Sequence, residues 1–328
     1  MEFFKIIKNN IVMKKIILFA FLVFGMLQLN AQQDPQYTQF MFNKLAFNPG
    51  YAGSSKGACF TALHRSQWLG LEGAPTTQVF SVHTPLSGKR VGLGLAIVHD
   101  NIGPTDSWSA SLSYAYRIPI ESGTLGLGLQ GTLRRYEVDF INERLTHPND
   151  NLVQATETSN IISNVGFGLY YEQDNFYFGV SVPHLIRNDI SLLTSNFATN
   201  NVQSVEEIHA YLMAGIVIPI AEQVKLKPAG LVKYSDKAPV DFDLNFSLLF
   251  MDKFLVGATY RFGGSSLQGN GESIDLVAQF IANGNIRIGA AFDFTLSELS
   301  NYSNGSFEIM AQYCLGDYSE KVANPRFF

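Results

Sequence analysis

With 328 residues and a net charge of −5, the chain carries charged side chains at only 16% of its positions. That is sparse for a soluble surface, where about a quarter is typical, and no basic stripe suggests nucleic acid. Aromatics at 13% and 28 glycines suit a membrane-spanning β-barrel with interfacial aromatic girdles.

The first element is a targeting segment. Lys5, Lys8, Lys14 and Lys15 precede an apolar run at 16–27, and Leu29-Asn30-Ala31 supplies a small residue for cleavage. Basic, apolar, then small is the secretory pattern, so residues 1–31 read as a signal peptide and Gln32 as the mature start. Met13 opens the more typical signal, which makes it a second candidate start. The apolar run is too short to span as a helix, and no Cys follows the cut, which excludes a lipoprotein. Residues 32–56 are not strand-like but contain Tyr37, Phe40, Met41, Phe42, Leu45, Phe47 and Tyr51. So much apolar surface requires burial. We expect a periplasmic N-terminal segment that packs in or under a barrel as a partial plug, or docks on a partner.

From 57 to 315 the pattern has period two. Phe242, Leu244, Phe246 and Leu248 alternate with Asp241, Asp243, Asn245 and Ser247; Ile286, Ile288, Ala290 and Phe292 alternate with Arg287, Gly289, Ala291 and Asp293. Strands are expected at 57–66, 77–85, 90–99, 107–118, 124–136, 164–172, 176–183, 206–218, 224–235, 239–250, 254–262, 273–281, 285–294 and 306–315. That makes about fourteen, most near the roughly 9–11 residues needed to cross a bilayer as tilted strands.

The connectors alternate between tight (near 87–88, 121–123, 173–174, 221–222, 251–253 and 283–284) and long (67–76, 100–106, 137–163, 184–205, 263–272 and 295–305). Only 235–238 is short where a long one is due. Outer-membrane barrels keep short turns periplasmic and longer loops outside. The reading is therefore an all-β, antiparallel, up-and-down transmembrane barrel of the bacterial outer membrane, with lipid around it and a periplasmic tail at 316–328 for a partner. Tyr114, Tyr116, Tyr170, Tyr171, Phe176, Tyr177 and Phe178 lie near strand ends and are expected in the girdles.

The lumen phase is small in many strands, as at Gly92, Gly94, Ser109, Ser111, Gly126, Gly128, Gly166, Gly168 and Gly289. Its expected charges are Arg117, Lys225, Lys227, Asp241, Asp243, Asp275, Arg287, Asp293 and Glu308. Small residues either widen a channel or make room for something packed inside. Cys59 and Cys314 fall on the first and last strands. A disulfide across the seam is one reading; strict disulfide geometry favours two unpaired thiols out of register.

Chemistry-bearing motifs are missing. The six histidines make no close metal-ligand spacing, and there is no G-x-S-x-G elbow. Gly92-Leu93-Gly94 and Gly126-Leu127-Gly128 sit inside strands rather than in a strand-to-helix turn, so they are no dinucleotide fingerprint. His99 or His184 at a rim would need a serine partner to make a hydrolase. No catalytic residue, cofactor, metal or nucleic-acid partner is expected, and the chain does not read as an enzyme.

Several stretches resemble the PorP/SprF family of type IX secretion system membrane proteins. These are Asp34-Pro35-Gln36-Tyr37-Thr38-Gln39-Phe40-Met41-Phe42-Asn43 and Asn48-Pro49-Gly50-Tyr51-Ala52-Gly53. The most specific block is His64-Arg65-Ser66-Gln67-Trp68 with Gly73-Ala74-Pro75-Thr76-Thr77-Gln78, continuing through Ser81-Val82-His83-Thr84-Pro85-Leu86. Asp100-Asn101-Ile102-Gly103-Pro104 and the terminal Asn324-Pro325-Arg326-Phe327-Phe328 fit as well. Gly50 stands where the family usually has alanine, and the 262–272 loop lacks the family's commoner sequence. The resemblance implies an outer-membrane component of type IX secretion. Its implied partners are periplasmic ring proteins, a peptidoglycan-binding lipoprotein and large secreted adhesin-type cargo, with a role in surface attachment or gliding motility. The rival reading is a passive porin or solute channel. The loop 67–76 is expected outside, with Trp68 and Pro75 folding inward over the lumen.

Overall fold

The structure, a computed structural model, describes residues 34–86, 88–139, 156–190, 204–236, 238–263, 272–282 and 284–316. The expected signal at 1–31 and the tail beyond residue 316 lie outside the described residues. In chain order the strands are β1 (Cys59–Ser66), β2 (Thr76–Pro85), β3 (Val91–Ile102), β4 (Thr105–Ile120), β5 (Gly123–Asp139), β6 (Thr156–Thr158), β7 (Ile162–Glu172), β8 (Phe176–His184), β9 (Asn188–Ile190) and β10 (Ser204–Glu206). They continue as β11 (His209–Ile216), β12 (Ile218–Ala221), β13 (Val224–Ser235), β14 (Ala238–Phe250), β15 (Phe254–Phe262), β16 (Ser273–Ala282), β17 (Ile286–Thr295) and β18 (Ser306–Cys314).

Fourteen of these close an antiparallel barrel. Each pairs with its neighbours in chain order, and β1 pairs with β18 to remove the free edges. Closure matters because an unpaired strand edge in lipid would leave backbone groups unsatisfied. Of the four short strands, β6 pairs with β5, β12 prolongs the line of β11 against β13, and β9 and β10 form a separate two-stranded ribbon.

The period-two pattern sorts the side chains. Along β14, Asp241, Asp243, Asn245, Ser247 and Leu249 are buried, whereas Val240, Phe242, Leu244 and Phe246 are exposed. The same alternation leaves Leu112 67% and Ile288 57% exposed on the outer wall. An apolar surface of that extent belongs against hydrocarbon.

Three expectations are corrected. The stretch 100–106 is not a long loop: β3 and β4 pair as far as Ile102 opposite Thr105, and Gly103, with φ of 54°, makes the tight turn. Tyr170 and Tyr177 are not girdle residues; both are fully buried in the lumen. The cysteines are not unpaired. Cys59 stands directly opposite Cys314 in the closing ladder, and a disulfide joins them. The register of a closing pair depends on the shear of the whole barrel, which individual strands do not reveal.

Candidate functional site

The residues that distinguish this barrel are those inside it. Residues 34–56 enter the lumen and fold as three single 3₁₀ turns, Phe40–Phe42, Lys44–Ala46 and Pro49–Tyr51. Pro49 begins the third, where a missing N–H costs nothing. Asn48 caps it by accepting the Gly50 N–H at 2.8 Å. Tyr37, Phe40, Met41, Phe42 and Phe47 are buried in one cluster with the inward wall residues Leu63, Val79, Met213, Leu231, Leu249 and Leu255. Burial of each large apolar side chain contributes about 1.5–3 kcal/mol before ordering costs.

Small residues in the wall make this seating fit. Cβ atoms added at Gly92 or Gly128 would overlap the backbone of Ala52 or Gly50. The segment is also bonded to the wall. The Asn48 amide donates to the carbonyls of Leu169 (2.9 Å) and Val180 (3.3 Å), and Ser181 Oγ donates to the Phe47 carbonyl at 2.7 Å.

Near the seam, both oxygens of Glu308 accept backbone N–H groups, from Thr38 and Gln39, each at 2.9 Å. Thr38 Oγ1 donates to Asp293 at 2.7 Å and accepts from Arg65 at 2.7 Å. Arg65 in turn pairs with Asp293 (2.6 Å) and Glu308 (3.3 Å). Arg261 extends the network to Asp243 (3.1 Å) and Asp275 (3.5 Å), and Lys233 reaches Asp243 at 3.0 Å. Buried pairs of this kind add little net stability, yet removing one partner is costly because the other charge is left buried.

Lys44 is enclosed by tyrosines, its Nζ lying 4.2 Å from the ring centre of Tyr177, 5.2 Å from Tyr51 and 6.0 Å from Tyr170. Burial pulls its pKa down, although the Glu172 carboxylate opposes this. Two basic side chains lie near the Phe42 ring centre, Lys227 Nζ at 5.4 Å and Arg287 at 4.8 Å.

At the end of the barrel where β1 and β2 are joined, Asp34 accepts from Arg134 at 3.2 Å and from the Tyr211 hydroxyl at 3.3 Å, and its carboxylate lies 3.3 Å from His184 Nδ1. Above it opens a vestibule of about 510 Å³ whose lining includes Tyr37, Phe47, Trp68, Pro75 and Arg134. Trp68 and Pro75 thus reach the lumen mouth. Their loop is tied to the β17–β18 connection through Leu69 N–H to the Gly305 carbonyl (2.7 Å) and Asn304 N–H to the Leu69 carbonyl (2.8 Å).

Arg117, Lys227, Asp241, Asp243, Asp275, Arg287, Asp293 and Glu308 are buried inward as expected, and Lys225 is partly buried. Arg65 and Arg261 were missed, although they share strand phase with Thr61 and Thr259. His99 pairs with Asp106 at 2.5 Å and Gln78 at 2.7 Å. His184 faces Asp34 and Arg134, so neither expected rim histidine has a serine partner among the described residues.

The family model for type IX secretion system membrane protein PorP/SprF matches residues 29–313. This chain belongs to the PorP/SprF family. It is accordingly a membrane component of type IX secretion, located in the outer membrane. No curated protein sequence matches this PorP/SprF chain. Among solved structures it is similar to the CymD monoaromatic hydrocarbon channel, at 12% identity over 87% of this chain and 94% of that one, with a TM-score of 0.50. The P. putida toluene transporter TodX matches at 10% identity over 84% and 95%, TM-score 0.47. Acinetobacter baumannii Omp33 matches at 10% over 80% and 100%, TM-score 0.45. At such identities the likeness is one of barrel fold alone.

Proposed function

We propose that this PorP/SprF protein is a closed scaffold that supports secretion or cell-surface attachment of large adhesin-type cargo, including cargo of gliding motility, through protein–protein contacts and without enzymatic chemistry. The observation that carries this reading is the occupied lumen: Thr38, Gln39, Asn48 and Ala52 have no exposed surface. A barrel filled at that level is ill suited to passive solute flux, which argues against the porin alternative. The inner rim, where both ends of the barrel chain lie, suits the periplasmic ring proteins and the peptidoglycan-binding lipoprotein. The outward vestibule, with its aromatic mouth, suits a surface protein.

The test is a deletion strain examined by surface proteomics, with crosslinking pulldown from outer membranes of the complemented strain. Loss of adhesin-type proteins from the surface, and recovery of secretion components with the barrel, is the expected result. An unchanged surface proteome, together with porin-like conductance of the purified protein, would overturn it.

A further inference from the structure

We propose that Asp34, His184 and His209 form a binding site for a transition-metal dication, Zn²⁺ being the ion their chemistry fits, which fastens the start of the lumenal segment to the barrel wall. The three residues come from the segment, the outer end of β8 and the first position of β11. One donor atom from each lies within 4.8 Å of the other two. Both histidines are buried.

The distances suit a tetrahedral ion. Two ligands each about 2.0–2.1 Å from Zn²⁺ are separated by about 3.3 Å along a tetrahedral edge, and Asp34 Oδ2 lies 3.3 Å from His184 Nδ1. Despite that proximity, His184 Nδ1 is a buried nitrogen with no hydrogen-bond partner of acceptable geometry among the described residues. His209 Nδ1 lies 3.0 Å from the Glu207 carbonyl. With its proton there, the ring is held as metal-bound histidines usually are; Nδ1 also lies 3.7 Å from Asp34 Oδ2, and Nε2 accepts the Asp34 backbone N–H at 3.4 Å, a long hydrogen bond that it exchanges for the ion on loading. Asp34 is itself oriented by Arg134 on its other oxygen, at 3.2 Å.

Two imidazoles and one carboxylate select a borderline ion such as Zn²⁺ over Mg²⁺ or Ca²⁺, which prefer all-oxygen sets. The carboxylates of Glu206 and Glu207 line the same vestibule and add negative potential. Arg134 opposes it: Nη2 lies 3.4 Å from His184 Nε2, which carries the proton once Nδ1 binds metal. That long contact is given up on loading, while Arg134 keeps Asp34 and its 3.0 Å pairing with Glu206. All three ligands line the vestibule, which supplies an access route and a water for the fourth position.

The test uses full-length protein purified in detergent, stripped with EDTA, and titrated with ZnCl₂ or MgCl₂. Elemental analysis should find about one Zn²⁺ per chain, and X-ray absorption at the zinc edge should report two imidazole nitrogens. The melting temperature should rise with Zn²⁺ and not with Mg²⁺. His184→Gln with His209→Gln should weaken Zn²⁺ binding at least about a hundredfold, and Asp34→Asn, which keeps the side-chain volume, at least about tenfold. His99→Gln on the outer wall should bind as wild type. Absence of bound Zn²⁺ at micromolar free ion, equal binding by the ligand variants, or an absorption spectrum without imidazole would each overturn the proposal.

Discussion

Cys59 and Cys314 face one another at one end of the β1–β18 ladder and are joined covalently. The bond lies where the barrel closes and where a fraying seam would first open. The barrel is thus held shut twice, by the backbone ladder from Cys59 to Ser66 and by one disulfide spanning 255 positions of sequence.

Removing that bond with Cys59→Ser and Cys314→Ser should leave the barrel folded, because the ladder is intact, but destabilise it by about 2–5 kcal/mol. The measurement is the temperature at which the folded band disappears in heat-modified electrophoresis. Two alkylatable thiols in unreduced wild-type protein would contradict the pairing itself.

Glu308 is the second target. Glu308→Ala leaves the buried N–H groups of Thr38 and Gln39 without their acceptor and takes from Arg65 one of its two carboxylates, Asp293 remaining, a loss of about 3–5 kcal/mol for a broken buried charge pair. The expected outcome is a lower melting temperature and the appearance of conductance in planar bilayers. Conductance equal to wild type would mean that this anchor does not hold the segment in place.

Steric exclusion offers a cleaner probe. Gly128→Val leaves β5 able to pair yet places a side chain where Gly50 now lies. The barrel should still assemble, with residues 34–56 becoming susceptible to added protease. Continued protection would show that the wall yields instead.

For Lys44 we expect asymmetric results. Lys44→Met replaces a buried ammonium by an apolar chain of similar length and should be neutral or stabilising. Tyr177→Ala removes the nearest ring and leaves the cation buried, for a loss of about 2 kcal/mol or more from the cation–π contact. Thermal melts of the two variants decide the matter, and a larger loss for Lys44→Met would invert the account.

Much of the wall was legible because period two is strict where one face meets lipid and the other does not. In β14 and β16 every polar residue at Asp241, Asp243, Ser273 and Asp275 marks the inside. Legibility fails where that contrast fades. Asp100, Asn101 and Asp106 are polar on both faces, so the extended β3–β4 hairpin looks like a loop. The pairs Tyr170-Tyr171 and Phe176-Tyr177 place an aromatic on each face, so composition alone does not separate lumen from girdle. For residues 32–56, apolarity demanded burial without naming the surface that provides it. The convergence of Asp34, His184 and His209 has no local signature: the pairing of β8 with β11 sets the two histidines opposite one another, and entry of the N-terminal segment into the lumen brings Asp34 to them.

The lumenal segment is bonded to Arg65 on the first strand and Glu308 on the last, the two strands whose pairing completes the ring. It precedes the barrel in the chain and lies enclosed by it, with the backbone at Gly50, Ala52 and Gly53 seated against the wall glycines Gly92, Gly126 and Gly128. The finished ring therefore encloses a piece of its own chain. The segment sits like a mandrel inside the wound sheet, and both edges of the seam grip it at the same place, Arg65 at Thr38 and Glu308 at Thr38 and Gln39.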